Sequence, residues 1–292
     1  MSMAGRKWNR QYRELVQRNL GLLSEKEQNR LKKATVCIFG IGGLGGIILE
    51  ILARSGIERF RIVDNDTYDT SNRNRQIFAF EDTDGQKKIE VAKHFCRRIN
   101  PDIRVETFEN IGEGNCAQIL EGADVGVLVL DDVKACLNIA RTARRMQIIL
   151  VEGWALPFAN VCTFTPQSAS FEQTYGLAEI ENVPVSQISD EQNWVLMMKI
   201  LLRFGSVEGV ADYFTDETLK KLASGMVPSW APMVWFNATR IAVEVTKVLL
   251  NWGDLTLSPD FAIYDPFCNR IPQTLDRLPT ERESTVKRIF RQ

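Results

Sequence analysis

The chain has 292 residues, 45% hydrophobic and 25% charged, with 36 Lys and Arg against 37 Asp and Glu for a net charge of −1. This composition supplies a core and excludes a mainly disordered chain, and the even charge gives no overall field toward nucleic acid or a membrane surface. No apolar run approaches the roughly 20 residues of a membrane span, and the polar start MSMAGRKWNRQYRELVQRN lacks the apolar stretch of a signal peptide, so a cytoplasmic protein without membrane contact is expected.

From about Arg6 to Lys33 the chain is polar and reads as helical, with Leu15, Leu20, Leu22, Leu23 and Leu31 as its apolar points. ATVCIFG is a short β-branched and apolar run, read as a buried strand. GIGGLGG (40–46) breaks it, and IILEILARSG continues at helical spacing to a helix-ending Gly56. RFRIVD is a second strand, ending at Asp64. Strand, glycine turn, helix and strand make a βαβ unit. The loop NDTYDTSNRNRQ follows, then a helix from about Lys87 to Ile99, closed by Asn100-Pro101, and the strand IRVETFE. GVLVLDD reads as a strand, VKACLNIARTARRM as a helix and IILVEG as a strand. These alternations predict an α/β fold: a doubly wound, Rossmann-like, mostly parallel sheet with helices on both faces.

After Trp154 the pattern changes to a C-terminal α+β portion. NVCTFTP reads as a strand, and residues 167–193 as a polar loop. WVLMMKILLRFG and Met233–Leu250 read as buried or half-buried helices, and FAIYDPF as a late strand. Arg240, Glu244 and Lys247 argue against a membrane span at 233–250; a core helix is expected there. Trp230, Trp235 and Trp252 are expected to be packing residues. The expected organisation is a helical arm (1–33), a Rossmann-like portion (34–165), a loop and C-terminal portion of the same domain (166–275) and a charged tail (276–292).

Six cysteines are present (Cys37, Cys96, Cys116, Cys136, Cys162 and Cys268), none spaced as C-x-x-C, so no zinc site and no disulfide framework are expected. Most read as small buried residues. The single histidine, His94, lies in a helical stretch, which leaves Ser-His-Asp and Cys-His catalysis little support.

Two clusters carry chemistry. Gly40-Ile-Gly42-Gly43-Leu-Gly45 fits G-x-G-x-x-G between a strand and a helix, with Asp64 nineteen residues beyond its last glycine. Glycines let a backbone approach phosphates, the helix start favours negative charge, and an acid after the second strand binds ribose hydroxyls. That arrangement binds a nucleotide without choosing between NAD and ATP. The second cluster is Asp64-Asn-Asp66 followed by Ser71-Asn72-Arg73-Asn74-Arg75-Gln76. A triphosphate needs such cations and donors, whereas a redox cofactor does not. Lys88 opens the next helix and can also point at phosphate. Asp131-Asp132 end a strand at its carboxyl end, where one would hold Mg²⁺ and the other cap the following helix.

These pieces (RNLGLLSEKEQNRL, VCIFGIGGLGG, LARSGIERFRIVDNDTYDTSNRNRQ, GQKKIEVAK, INPDIRV and VLVLDDV) resemble the ubiquitin-activating-enzyme-like superfamily, the ThiF/MoeB/HesA adenylyltransferases. The resemblance runs from about Arg18 to Val151 and more weakly over Ala231–Leu250. It implies ATP-dependent adenylation of a carboxylate, most often the C-terminal glycine of a ubiquitin-fold or sulfur-carrier protein, with pyrophosphate released. By the same resemblance Gly40, Gly42, Gly43 and Gly45 cradle the nucleotide and Asp64 binds ribose, with Asp66 beside it. Asn72, Arg75, Gln76 and Lys88 hold the phosphates, and Asp131 holds Mg²⁺. Arg18 reaches the other subunit's ATP in a homodimer, which makes Arg18, Arg75, Lys88 and Asp131 the catalytic set. The chain departs from the family in lacking paired C-x-x-C motifs, in having Asp131-Asp132-Val for T-D-N, and in having no cysteine in 167–193. Only Cys268 lies downstream, so no obligatory thiol intermediate is expected. Three other readings stand beside this one: a tRNA threonylcarbamoyladenosine dehydratase-like enzyme acting on tRNA, a non-catalytic partner-binding subunit, and a NAD-dependent oxidoreductase.

Overall fold

The β-branched run Thr35–Phe39 forms β1, which pairs with two parallel neighbours along its edges and has both faces covered by helices. The other strands are β2 (Arg59–Val63), β3 (Arg104–Phe108), β4 (Val125–Leu128), β5 (Leu150–Glu152), β6 (Ala159–Phe164) and β7 (Ala262–Tyr264). They form one seven-stranded sheet in the order β3-β2-β1-β4-β5-β6-β7. The first five are parallel, and β6 and β7 run antiparallel to their neighbours. This computed structural model describes residues 8–156, 158–205, 213, 215–224 and 226–266. Cys268 and the predicted charged tail lie outside them.

The helices are α1 (Arg10–Leu15), α2 (Glu25–Lys33), α3 (Gly43–Arg54), α4 (Lys88–Ile99), α5 (Cys116–Leu120), α6 (Val133–Arg145), α7 (Phe171–Tyr175), α8 (Asp190–Gly205), α9 (Asp216–Ala223) and α10 (Ala231–Leu250). They cover both faces, because the strands alternate. Val36 and Ile38 join the cluster built with α3, α4 and α10, while Cys37 and Phe39 join the one built with α5, α6 and α8. The predicted doubly wound α/β sheet is therefore the fold. Its register sets the site: Phe39 stands opposite Val63 and Leu128, and Leu128 opposite Glu152. Gly40, Asp64, Val129 and Gly153 thus leave the sheet at one level, around the point where the strand order reverses between β1 and β4.

Four elements differ from expectation. The arm is two short helices rather than one helical stretch. Gly21 turns the chain with φ +107°, and Ser24 starts α2 afresh with a capping box to Glu27. The arm is pinned to the end of α3: the buried Tyr12 hydroxyl donates to the Gly56 carbonyl (2.9 Å), and Gln28 Nε2 donates to that of Ser55 (2.9 Å). Residues 167–193 are not one polar loop. Ser170 caps α7, whose Phe171 and Tyr175 are buried, Gly176 ends it in the left-handed region, and α8 begins at Asp190. Arg141 on α6 organises this stretch through Glu172 (2.7 Å) and the carbonyls of Val183 (2.6 Å) and Ile180 (2.7 Å). The helices α5 and α9 were not read from the sequence. Finally, Trp230, Trp235 and Trp252 are not buried packing residues; they are 57%, 43% and 38% exposed. Two of them are held by their ring N–H groups, Trp235 to the Arg75 carbonyl and Trp252 to Glu27 (both 2.9 Å).

Among the described residues no helix is long and apolar enough to cross a membrane. The five described cysteines are buried and unpaired, and His94 is exposed on α4, edge-on to Phe95.

Candidate functional site

A cleft of about 720 Å³ opens at the carboxyl ends of the parallel strands. One wall comes from the glycine turn after β1. Gly40 takes φ +98°, and a side chain there would meet the Val129 carbonyl oxygen at 2.7 Å. Gly42 precedes α3 with no side chain capping the helix, so the first backbone N–H groups of α3 stay open beside Gly42 and Gly43, which line the cleft. Gly45 does not line it. A Cβ there would fall 1.7 Å from the Gly40 oxygen, so this glycine lets α3 close against the end of β1.

Asp64 ends β2 and is 9% exposed. Its Oδ2 accepts from the Ile41 N–H (2.7 Å) and its Oδ1 from that of Asp66 (2.9 Å), which ties the glycine turn to the acidic loop. Burial raises its pKa above the ordinary carboxylate value, against the opposing pull of Lys88 and the two N–H groups. Lys88 is buried at the start of α4 with its Nζ 2.8 Å from Asp66 Oδ2. One ion pair uses one of three ammonium donors.

The loop after β2 is docked from outside. Asn74 Nδ2 donates to the Ser229 carbonyl and the Trp235 indole to that of Arg75, both at 2.9 Å. The Arg75 guanidinium is braced by Ser71 O (2.9 Å) and Asn74 Oδ1 (2.7 Å), and burial lowers its pKa. Asn72 and Gln76 are buried, line the cleft, and leave Asn72 Oδ1 and Gln76 Oε1 without a partner. Buried polar atoms without partners are uncommon, and both of these belong to residues that line the cleft.

Asp132 Oδ1 caps α6 by accepting from the Ala135 N–H (3.0 Å). The exposed Asp131 has no hydrogen bond or ion pair among the described residues. No group of three or more His, Cys, Asp or Glu gathers among the described residues, so a closed protein cage is not built here. A single free carboxylate at the mouth of a polar cleft suits Mg²⁺ that takes its other ligands from water and phosphate. The described cleft is lined by five carboxylates (Asp64, Asp66, Glu109, Asp131, Asp132) and two cations (Arg75, Lys88). A polyanion needs further positive charge to bind there.

The structure thus brings together Gly40, Gly42, Gly43, Asp64, Asp66, Asn72, Arg75, Gln76, Lys88 and Asp131. It does not bring Gly45 to the cleft, nor Arg18, which is exposed on the turn between α1 and α2. Missed from the sequence were Gly153, Trp154, Leu156, Met197 and Leu201, which line the other side. The position of Gly153 and Trp154, directly after β5, was the available signal.

Trp154 is clamped. Its N–H donates to Asn160 Oδ1 (2.7 Å), its carbonyl accepts from Asn160 and Asn237 (2.9 Å each), and its indole donates to the Tyr175 hydroxyl (2.7 Å), which in turn bonds Glu152. Burial pushes the Glu152 carboxyl up to about 8. Between the ordinary carboxylate value and about 8, the folded chain therefore holds a proton that the unfolded chain has lost. Folding stability is full below that window and falls as pH rises through it. Glu152→Gln should remove this slope, so that its stability relative to wild type rises between pH 5 and pH 8 by about 3 kcal/mol. Urea melts of both proteins at pH 5 and pH 8 check it; parallel pH dependences would contradict it.

Known proteins resemble this chain in sequence and in fold. A tRNA threonylcarbamoyladenosine dehydratase of Bacillus subtilis is 33% identical over 130 residues, covering 41% of this chain and 51% of that protein. A molybdopterin-synthase adenylyltransferase of Haemophilus influenzae is 29% identical over 148 residues, covering 49% and 61%. The chain spans about half the length of the curated relatives it matches. The crystal structure of E. coli MccB with ATP superposes with a TM-score of 0.62 at 24% identity, covering 87% of this chain and 68% of that one, which shows a shared fold. The ThiF family matches residues 16–285, and the chain belongs to that family.

Proposed function

We propose that the protein is an ATP-dependent adenylyltransferase that activates a carboxylate. The observation that carries this is the convergence, in one cleft at the strand-order reversal, of the open start of α3, Asp64, Arg75, Lys88, the amide side chains of Asn72 and Gln76 and the exposed Asp131. In this reading the first amides of α3, Arg75 and Lys88 bind the phosphates, and Asp64 binds the ribose. Asn72 and Gln76 orient around the phosphates. Asp131 would hold Mg²⁺, which when bound would neutralise charge on the phosphates. A substrate carboxylate oxygen attacks the α-phosphorus; the new O–P bond forms as the bond to the bridging oxygen breaks, and pyrophosphate leaves with that electron pair. The carboxylate is already ionised near pH 7, so no general base is required. The chain's contribution is positioning and charge stabilisation.

The proposed substrate is the C-terminal glycine of a ubiquitin-fold or sulfur-carrier protein, in line with the adenylyltransferase relative. The match to the dehydratase favours a second reading, in which the carboxylate is on a modified tRNA base. Isotope exchange between pyrophosphate and ATP separates them. Exchange elicited by a carrier ending in glycine supports the first, and exchange elicited only by threonylcarbamoylated tRNA supports the second. We place the reaction in the cytoplasm, consistent with buried, unpaired cysteines.

We further propose a homodimer in which Arg18 adds positive charge to the partner's cleft. The excess of carboxylates in the described cleft and the pinned, outward-facing turn that carries Arg18 support this. Arg18→Ala and Arg75→Ala should each be inactive alone. Mixed in equal amounts under subunit exchange, they should recover up to about a quarter of wild-type exchange activity, because half of the dimers are mixed and each then has one complete site. No recovery on mixing, with mixed dimers demonstrated, would contradict it.

A further inference from the structure

The two sides of the cleft differ in chemistry. The glycine turn, Asp64, Arg75, Gln76 and Lys88 lie on the β1 and β2 side, and Asp131 follows β4 between the two sides. The far side follows β5 and is apolar: Trp154 and Leu156 come from the chain after the strand, and Met197 and Leu201 from α8. All four are less than a tenth exposed, so they form a wall and not a loose surface patch. The wall is also fixed. Trp154 is held by both its backbone groups and by its ring, through the bonds to Asn160, Asn237 and Tyr175 described above. A rigid apolar wall gains by covering with apolar substituents and gains little from glycine alone.

If the nucleotide takes the polar side, the other reactant reaches Asp131 along this wall. We propose that the wall selects the tail of the carboxylate substrate: a bulky apolar side chain within the three residues nearest the carboxylate seats against Trp154, Leu156, Met197 and Leu201, and an acidic side chain there is rejected. This rests on the adenylation reading. Rejection of acid follows from the cost of desolvating a carboxylate against an apolar wall and from the lack of a cation among the described residues of that wall. The proposal remains compatible with a terminal glycine, because the selected side chain can stand one or two residues before it.

The test uses unreactive adenylate mimics: adenosine 5′-sulfamates acylated with Gly-Gly-Gly, or with leucine or glutamate at the first, second or third position of that tripeptide, titrated calorimetrically beside Mg-ATP. At least one leucine mimic should bind wild type about tenfold or more tightly than the triglycine mimic, and its glutamate counterpart should bind more weakly than triglycine. Which leucine mimic gains tells how far the wall lies from the carboxylate. In Leu201→Ala and Met197→Ala the leucine-to-triglycine ratio should shrink. That ratio is taken within one protein, so a general loss of binding cancels. Equal affinity of leucine and triglycine mimics for wild type overturns the proposal while ATP binding leaves the adenylation reading standing. An undiminished leucine advantage in both variants removes the assignment to this wall. Failure of Mg-ATP and every mimic to bind removes the adenylation reading, and this inference with it.

Discussion

Arg75→Ala should lower pyrophosphate–ATP exchange by about 100- to 1,000-fold, the loss typical of removing one preorganised charge donor from a transition state. Arg75 is one of only two cations lining the described cleft, against five carboxylates. Its guanidinium is braced by Ser71 O and Asn74 Oδ1, so its direction is set before any ligand arrives. Burial lowers its pKa, yet a guanidinium stays charged at neutral pH. The backbone of the loop does not depend on that side chain. Asn74 and the Arg75 carbonyl dock it to Ser229 and Trp235 whatever occupies position 75. Stability should therefore change by about 1 kcal/mol or less. Arg75→Lys keeps the charge but loses the planar fork and should recover only part of the rate. Exchange rates and urea midpoints of the three proteins decide it. Wild-type exchange in Arg75→Ala would place the phosphates elsewhere.

The second large effect is on folding. Gly45→Ala puts a methyl 1.7 Å from the Gly40 oxygen and 2.8 Å from its carbonyl carbon, both backbone atoms that cannot rotate away. To restore contact distance α3 must withdraw by about 1.5 Å, which separates it from the sheet and opens the core it shares with α10. A destabilisation of about 3 kcal/mol or more is expected. Gly42→Ala makes an instructive contrast. Its added methyl meets nothing nearer than Gln76 Nε2 at 3.8 Å, so the packing tolerates it. It does intrude where a phosphate would approach the backbone, and ATP affinity should fall about tenfold or more. Urea denaturation and ATP titration of both variants test the pair. A stable Gly45→Ala protein would refute the packing role, and unaltered ATP affinity in Gly42→Ala would remove the glycine turn from the nucleotide site.

The parallel half of the fold was legible because its signals are local. β-branched runs, a glycine turn and helical spacing follow one another in the order that a βαβ sheet demands, and each strand end then marks the cleft. Asp64 and Asp131 stand within three residues of the ends of β2 and β4, whereas Arg75 and Lys88 come twelve and twenty-five residues after Val63 and reach the same cleft from the loop and from the start of α4. Gly45 belongs to the same motif, but its reason for being glycine is the Gly40 oxygen, a contact that spacing alone does not separate from phosphate binding. The arm was harder to read because Leu20 to Leu23 keep its apolar spacing going through a turn set by Gly21 and by the capping box at Ser24. Residues 167–193 were opaque for a different reason. What orders them is Arg141, thirty-one residues before its partner Glu172, which reaches across from another helix. The apolar wall was missed because Trp154 and Leu156 come from one segment and Met197 and Leu201 from another, and only the fold brings them together. The exposed tryptophans show the limit of composition. Trp235 spends its ring N–H on the Arg75 loop and leaves part of its ring in water.

The most direct test of the nucleotide assignment is calorimetric titration of the purified protein with Mg-ATP and, separately, with NAD, repeated on Arg75→Ala and Asp131→Ala and with the oligomeric state measured in the same samples. The account predicts that Mg-ATP binds, that both substitutions weaken it, and that NAD does not bind. Binding of NAD in place of Mg-ATP, or Mg-ATP binding that neither substitution alters, would contradict it.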